Sequence, residues 1–578
     1  MTKLHRKSVL ILTIILGWTL GFGLWSAWRT SMTMDEGIHT ASAYLALQRN
    51  DFRFDPEHPP LFRYLTALPL FSLDLNLPND DQKLWDASAP TMYDSWVEAR
   101  RWADQWVYES GNDAQLMMFL ARLPAVAVLL ALVFFTYLLV RKLWGDGPAL
   151  WSAFFISFSP TFLGHGVLTN TDVPLALCYV LATYTLLRYY HKPSLINASI
   201  VGISIGIALT VKHSAVALVP IALTWLFYVA YINKLSWKTV LAHLGASAVV
   251  TWVIIWVVYG FNSPIRPNPS ELSDQSQMVY KWLAERGLEP DSFLNIVRWI
   301  LPIDYVKGLI LAIGGSVIGR PTFLLGQELP SGVWYFFPVS FLLKTQLIAI
   351  ILGLFALLRA IPKIIKRPPL QPVTILFLLI TAVLGYSSIT SNLNLGIRHI
   401  TPLLWIFSIV LGLTMARICR GLQPFGFLRV TIPVLLVVAY AYPVLAQRAN
   451  LIGFSNELIT PASNGYRYFN DSNLDWNGGM KDIADAIYEE ARSYGDTVVY
   501  INCNEIAHIQ YFLDKQERFF NRIPPTPVSF TKLPDKGLVV VMATQRGLAE
   551  AKQDPTYEPL RGLTPTRIIP NIAYFYRL

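Results

Sequence analysis

Long apolar runs alternate with short polar ones along most of the chain. A helix that crosses a bilayer takes roughly 20 mostly apolar residues, within a range of about 17–25. Runs of that kind lie near 8–28, 118–140, 149–164, 173–190, 197–211, 214–231, 240–260, 335–358, 372–390, 400–416 and 430–446. The pattern therefore predicts an α-helical polytopic membrane protein with about 11 transmembrane helices. The first run follows Lys3, Arg6 and Lys7, as in a secretory leader. Its apolar stretch is too long for a usual leader and no small-residue cleavage site follows, so an uncleaved first helix is expected.

Beyond residue 446 the pattern changes. "MKDIADAIYEEARSYG" has apolar positions at helical spacing, and "TVVYIN" and "GLVVVMAT" read as short buried strands. Residues 447–578 are expected to form a small α/β domain attached to a membrane domain at 1–446. No internal repeat is evident.

Composition and charge turn this pattern into a topology. The chain is 53% hydrophobic and 15% charged, with a net charge of +9. Soluble domains carry about 25% charged residues. A basic balance would suit nucleic acid, but in a membrane chain Lys and Arg gather at cytoplasmic helix ends. No nucleic-acid partner is expected. With the N-terminus in the cytoplasm, the inside segments hold Arg141 and Lys142, then Arg188 and Lys192, then Lys234 and Lys238. The next holds Arg359, Lys363, Lys366 and Arg367, and the last Arg417, Arg420 and Arg429. Loops at about 29–117 and 261–334, and the C-terminal domain, then fall outside. Cys178, Cys419 and Cys503 make no disulfide framework. No metal-ligand spacing stands out, so no essential metal and no cofactor are expected.

The informative residues are those that oppose this pattern, because ionisable groups in or beside the membrane are costly and tend to be functional. Four cations fall outside or toward the outer leaflet: Arg63, Lys212, Lys344 and Arg398. Lys344 interrupts the apolar "YFFPVSFLLKTQLIAIILGL". Snorkelling to the headgroups is the plainer account of each. A shared phosphate ligand would explain all four at once. The first outer loop opens "TSMTMDEGIHTASAYL", placing Asp35 and Glu36 just past the first helix. Thr33 and Glu36 have capping-box spacing, and a carboxylate acting as general base is the alternative. "FDPEHPPLFRYLTALPLF" follows, with Glu57 and His58 before two prolines that forbid a helix there. A structural turn is the favoured account of this segment. Asp172 in "TNTDVPLAL" has the position of an N-cap ahead of Pro174. His213 in "TVKHSAV" and His399 in "GIRHITP" fall on the same outer side.

Taken in order, "MDEG", "HPPL", "TDVP", "VKHS", "YFFP…LLKT" and "GIRHITP" resemble the protein O-mannosyltransferase family and its bacterial relatives. These are GT-C class glycosyltransferases that use polyprenyl-phosphate sugars. The segments run from residue 34 to about 402. The tail segment "YFNDSNLDWNGGMKDIADAI" is similar to one appended to many bacterial enzymes of this sort, without a role attached to it.

The resemblance implies a GT-C type fold with Asp35 as catalytic base and Glu36 beside it, and Arg398 on the carrier phosphate. The family's HPPL segment usually continues Gly-Lys, where this chain has Phe62-Arg63, so the role of Arg63 stays open. Lys344 and Lys212 are expected to assist Arg398 at the phosphate. His58, Asp172, His213 and His399 are expected to shape the sugar or acceptor site. The partners implied are a polyprenyl-phosphate-linked sugar, membrane lipids, and an acceptor protein, lipid or glycan. The location implied is the plasma (inner) membrane. Aminoarabinose transferases of lipid A share the architecture and are the nearest alternative. Oligosaccharyltransferases are disfavoured because no Trp-Trp-Asp segment occurs. A secondary transporter, the rival from another class, would show midplane charges in paired repeats. A structural or receptor-like membrane protein would leave the outer cations unexplained. The amphipathic "EARRWADQWVYES" is expected to lie in the interface and frame a lateral entrance for the carrier.

Overall fold

The computed structural model describes residues 3–52, 54–79, 96–263, 296–365, 370–494, 499–502, 506–515, 526–527 and 537–578, with a few positions between 281 and 292. Helix α1 (Lys3–Arg29) contains the first apolar run. The first outer segment carries α2 (Glu36–Arg49), α3 (Leu61–Ala67) and α4 (Trp96–Asp104). Then follow α5 (Ala114–Trp144), α6 (Asp146–Ser157), α7 (Pro160–His165), α8 (Asp172–His191), α9 (Leu195–Val211), α10 (Leu218–Ile232) and α11 (Trp237–Val258). After the second outer segment, with α12 (Ile303–Ile318), come α13 (Phe336–Lys344), α14 (Leu347–Ile365), α15 (Pro372–Thr390), α16 (Thr401–Gly421) and α17 (Leu428–Ala446).

Every apolar run named above is helical. Among the described residues, seven helices are long and apolar enough to cross a membrane, and eight if the bent α13–α14 pair is counted as one span. Two expected spans are broken. The run at 149–164 splits into α6 and α7 at Ser159-Pro160, where proline has no N–H to continue the ladder. The run at 335–358 bends by 114° after Lys344.

One apolar core runs through α1, α5, α6, α8, α9, α10 and α16. Glycine permits a close helix contact beside it: a Cβ at Gly202 of α9 would lie 2.4 Å from the Ser247 carbonyl oxygen of α11. A second core joins the outer loop to the C-terminal domain. Ala99, Trp102, Trp106 and Val107 pack with Ile483, Ile487, Val499 and Phe575. The segment "EARRWADQWVYES" is therefore not an interfacial helix. Its apolar face is covered from two sides: the fully buried Trp106 packs against Tyr44 of α2, and Tyr108 packs against His508, Tyr511 and Phe512 of the tail.

That domain has α18 (Met480–Tyr494), α19 (Ile506–Lys515) and α20 (Ala543–Lys552). With the outer hairpin β1 (Thr322–Leu324) and β2 (Gln327–Leu329) counted first, its strands are β3 (Val499–Asn502), β4 (Thr526–Pro527), β5 (Leu538–Met542), β6 (Arg567–Ile569) and β7 (Ala573–Arg577). They form a five-stranded mixed sheet in the order β4-β3-β5-β7-β6. The predicted helix and two strands are α18, β3 and β5. The domain is tied to the end of α1 by an Arg29–Asp482 ion pair at 2.8 Å. Backbone bonds from Ser31 N–H to the Gly478 carbonyl (3.0 Å) and from Met34 N–H to the Trp476 carbonyl (3.1 Å) hold the same junction.

Candidate active site

The polar groups converge where α1 ends and the tail begins. Asp35 stands at the N-terminus of α2 without capping it. Its Oδ2 accepts from Arg398 Nη2 at 3.1 Å, and its side chain stays 18% exposed. Arg398 lies in the one-turn helix Ile397–Ile400 ahead of α16 and is buried. Its Nη1 donates to Asp172 Oδ2 at 3.3 Å, and Lys212 takes the other oxygen of Asp172. Asp172 begins α8 but makes no side-chain cap; its carboxylate faces the two cations instead. Asp172 is 1% exposed, so its charge is screened by its partners rather than by water.

The tail closes this arrangement from the other side. Trp476 lies under the Arg398 guanidinium, 4.1 Å from carbon to ring centroid. Ser472 Oγ accepts from Arg398 Nε at 3.1 Å. Ile397 N–H donates to Asn473 Oδ1 at 2.9 Å. Asp471, Trp476 and Asn477 all have positive φ, at 54°, 46° and 66°. Backbone of that kind costs non-glycine residues and persists where the surroundings impose it. Burial pushes the Asp471 carboxyl up to about 6, with the Asp35 charge adding to the rise and Arg398 opposing it. Burial pushes Asp475 up to about 7, against a hydrogen bond from Thr544.

A second knot lies beside the first. Asp55 accepts from Arg63 Nη1 at 2.7 Å and from His58 Nδ1 at 3.2 Å. The Asp55 carboxyl is held well below the usual range: burial alone would raise it, but Arg63 and the two neighbouring histidines outweigh burial. Arg63 also donates to the Ser42 hydroxyl and to the carbonyls of Asp55, His58 and Pro59. His39 reaches the knot from one turn along α2. Arg320 pairs with Glu57 at 3.5 Å. His213 is buried beside Tyr305, and His399 is half-buried near Phe337. His39, His213 and His399 all lie within electrostatic reach of His58.

Of the residues singled out in the sequence, Asp35, Arg398, Asp172 and Lys212 thus make direct contact, and His58, His213 and His399 border them. Three others are placed differently. Glu36 is fully buried, and its two oxygens accept five hydrogen bonds: two from Arg122, one from Thr169 N–H, and two from Thr33. It closes the capping box with Thr33 and leaves no lone pair for chemistry. Lys344 is buried at the α13–α14 bend and donates to the carbonyls of Ile452 (2.7 Å) and Asn473 (2.5 Å). Arg63 is likewise enclosed by its own loop. Arg63 is a poor phosphate ligand because all five of its N–H groups already serve Ser42, Asp55 and nearby carbonyls, whereas Lys344 spends two of its three on carbonyls.

Arg122, Asp55, His39 and Trp476 were missed. Arg122 was detectable, as a lone arginine within an apolar helix. His39 and Asp55 come from separate segments, and no short spacing joins them. Trp476 sits in a tail segment whose partner lies on another element.

The molecule is thus a bundle of apolar helices long enough to cross a membrane, with a buried cation–carboxylate network at one end. Residues 114–259 match the family model described as dolichyl-phosphate-mannose-protein mannosyltransferase, the class that the ordered motifs resemble. The fold is similar to the crystal structure of ArnT from Cupriavidus metallidurans bound to undecaprenyl phosphate, at 14% identity and TM-score 0.46, over 97% of each chain. It is also similar to the oligosaccharyltransferase AglB from Archaeoglobus fulgidus in complex with an inhibitory peptide and a dolichol-phosphate. There the identity is 13% and the TM-score 0.48, over 94% of this chain and 70% of the other. No curated protein matches the chain significantly.

Proposed function

We propose that the protein is a membrane glycosyltransferase. It moves a sugar from a polyprenyl-phosphate carrier to an acceptor hydroxyl at the extracytoplasmic face of the plasma (inner) membrane. The observation that carries this reading is the asymmetry of Asp35: Arg398 holds one oxygen, while the other has no partner among the described residues and the side chain keeps a path to solvent.

A lipid-phosphate leaving group already carries charge, so it needs cations rather than a general acid. Arg398 and Lys212 share Asp172 and keep N–H groups beyond those that Asp172, Asp35 and Ser472 use. Phosphate oxygens would take those donors. Asp35 accepts the proton of the acceptor hydroxyl, which then attacks the anomeric carbon as the carbon–phosphate oxygen bond breaks. A single direct displacement inverts the centre, whereas retention needs a carboxylate nucleophile. In this mechanism Asp172 orients the two cations, so its part is in phosphate binding rather than in the sugar contacts the sequence suggested for it. His58, His213 and His399 border the space left for sugar and acceptor.

Mass spectrometry of lipid co-purified with the full chain tests the reading. A polyprenyl-phosphate sugar is the expected ligand. Uptake of a solute by sealed vesicles without any sugar transfer would replace this reading with a transporter.

A further inference from the structure

His39, Asp55 and His58 each bring one ligand atom to a common point, with all of these atoms within 4.8 Å of one another. We propose that this point is a binding site for a divalent d-block cation of the zinc class. The site lies beside the proposed transfer centre and does not depend on the sugar-transfer reading.

The argument starts from His39. Its Nδ1 lies 2.9 Å from the Thr169 carbonyl oxygen. A carbonyl only accepts, so Nδ1 carries the proton and donates it. In the neutral ring Nε2 is then a bare lone pair. That lone pair faces Asp55 Oδ2, which already accepts from Arg63, across 4.0 Å, with an acceptor on each side. Two facing acceptors at that distance repel, and they are too far apart to share a proton well. A cation between them removes the repulsion. A backbone carbonyl that fixes the far nitrogen of a histidine is also the usual outer partner of a metal ligand.

The remaining ligand fits once it gives up a proton. His58 Nδ1–H donates to Asp55 Oδ1 across 3.2 Å without a metal. A cation would displace that proton, and the spacing is close to the roughly 3.3 Å between two donors on one tetrahedral zinc with bonds of about 2.0–2.1 Å. Arg63 occupies the Oδ2 side of Asp55 and leaves Oδ1 toward His58. Two imidazoles with one carboxylate are a donor set for zinc or a similar transition metal, not for calcium or magnesium. Three protein ligands leave a fourth position open. The surroundings add to the case, since His213 and His399 also lie near His58, so four of the nine histidines gather here. No short spacing flags the site, because Asp55 lies sixteen positions after His39. A cation held here would stand about one helical turn from Asp35.

The test is made on the full chain in detergent, stripped with a chelator and then titrated with zinc against a chromophoric competitor. One saturable equivalent is expected in the wild type. His39→Gln and His58→Gln should each weaken binding about tenfold or more. His191→Gln, an exposed histidine at the end of α8, should bind as the wild type does. Cobalt(II) added to stripped wild-type protein gives a second reading that needs no variant. A saturable visible absorption that zinc abolishes is expected. Absence of saturable zinc binding, or equal binding by both variants and the wild type, overturns the proposal. So does a missing cobalt signal. None of these measurements involves sugar transfer, so their failure would leave the transferase reading where it stands.

Discussion

Asp35 and Glu36 are neighbours in sequence and opposites in structure. Glu36 is fully buried and accepts five hydrogen bonds, with Arg122 as its counter-ion. Asp35 has one ion pair and a side chain open to solvent on one edge. Each faces an arginine, so charge alone does not separate them. What separates them is saturation. A carboxylate whose lone pairs are all used can hold a fold together, but it has nothing left to accept a substrate proton. Arg122 makes the same point for the cations. It donates to Glu36 and to the carbonyls of Ala27, Thr30 and Ser31, tying off the end of α1. Arg398 keeps donors in reserve.

The sharpest way to break this comparison is to neutralise each acid in turn. Asp35→Asn removes the base and preserves shape. Sugar transfer should fall by about 10²–10⁴-fold, the usual worth of a positioned general base. Lipid-donor binding and thermal stability should stay near wild type. Near-normal turnover of this variant in a transfer assay would end the assignment. Glu36→Gln should do the reverse. It leaves Arg122 buried without its counter-ion, a change that costs about 3–5 kcal/mol. The expected result is loss of monodisperse protein on size exclusion in detergent, with the folded fraction retaining ordinary turnover per molecule.

A smaller effect tests the tail. Trp476 stacks on Arg398, and such a contact is worth about 0.5–2 kcal/mol. Trp476→Leu keeps an apolar side chain of smaller volume and removes the ring face. We expect kcat to fall about tenfold while the protein remains folded. A change confined to stability would assign Trp476 to packing instead of to the orientation of Arg398.

The positions of Asp35 and Arg398 were legible because each opposes the hydrophobic and charge pattern around it. So was the helical class, since apolar runs of membrane length leave few alternatives. The roles of Lys344 and Arg63 were not legible for the same reason that they stood out. A cation in an apolar helix declares that it needs partners but not which ones. Those of Lys344 are carbonyls 108 and 129 residues away. The two broken spans were hidden because apolar runs resume on both sides of Ser159-Pro160 and of Lys344-Thr345-Gln346, so that each pair reads as one span of membrane length. The fate of "EARRWADQWVYES" turned on what covers its apolar face. An amphipathic stripe reports that something does, and here part of the cover is a domain some 400 residues downstream.

The least of the effects concerns the pH dependence of the tail. Asp471 and Asp475 have folded-state values of about 6 and about 7, above the ordinary 3.8. The folded chain therefore binds more protons than the unfolded chain between about pH 4 and 7. With that sign, stability is fully present below the unfolded value and declines as pH rises through the folded values. Asp475 is the cleaner probe, because it touches Thr544 and not Arg398. Asp475→Asn cannot ionise. Its melting temperature at pH 8 should exceed that of the wild type by a few degrees, and the difference should vanish near pH 4. Transfer activity should keep its wild-type pH profile, since Asp35 is untouched. A variant less stable than wild type at pH 8 would mean that Asp475 is ionised and paired in the folded tail. Asp475 would then belong with the saturated carboxylates that Glu36 represents.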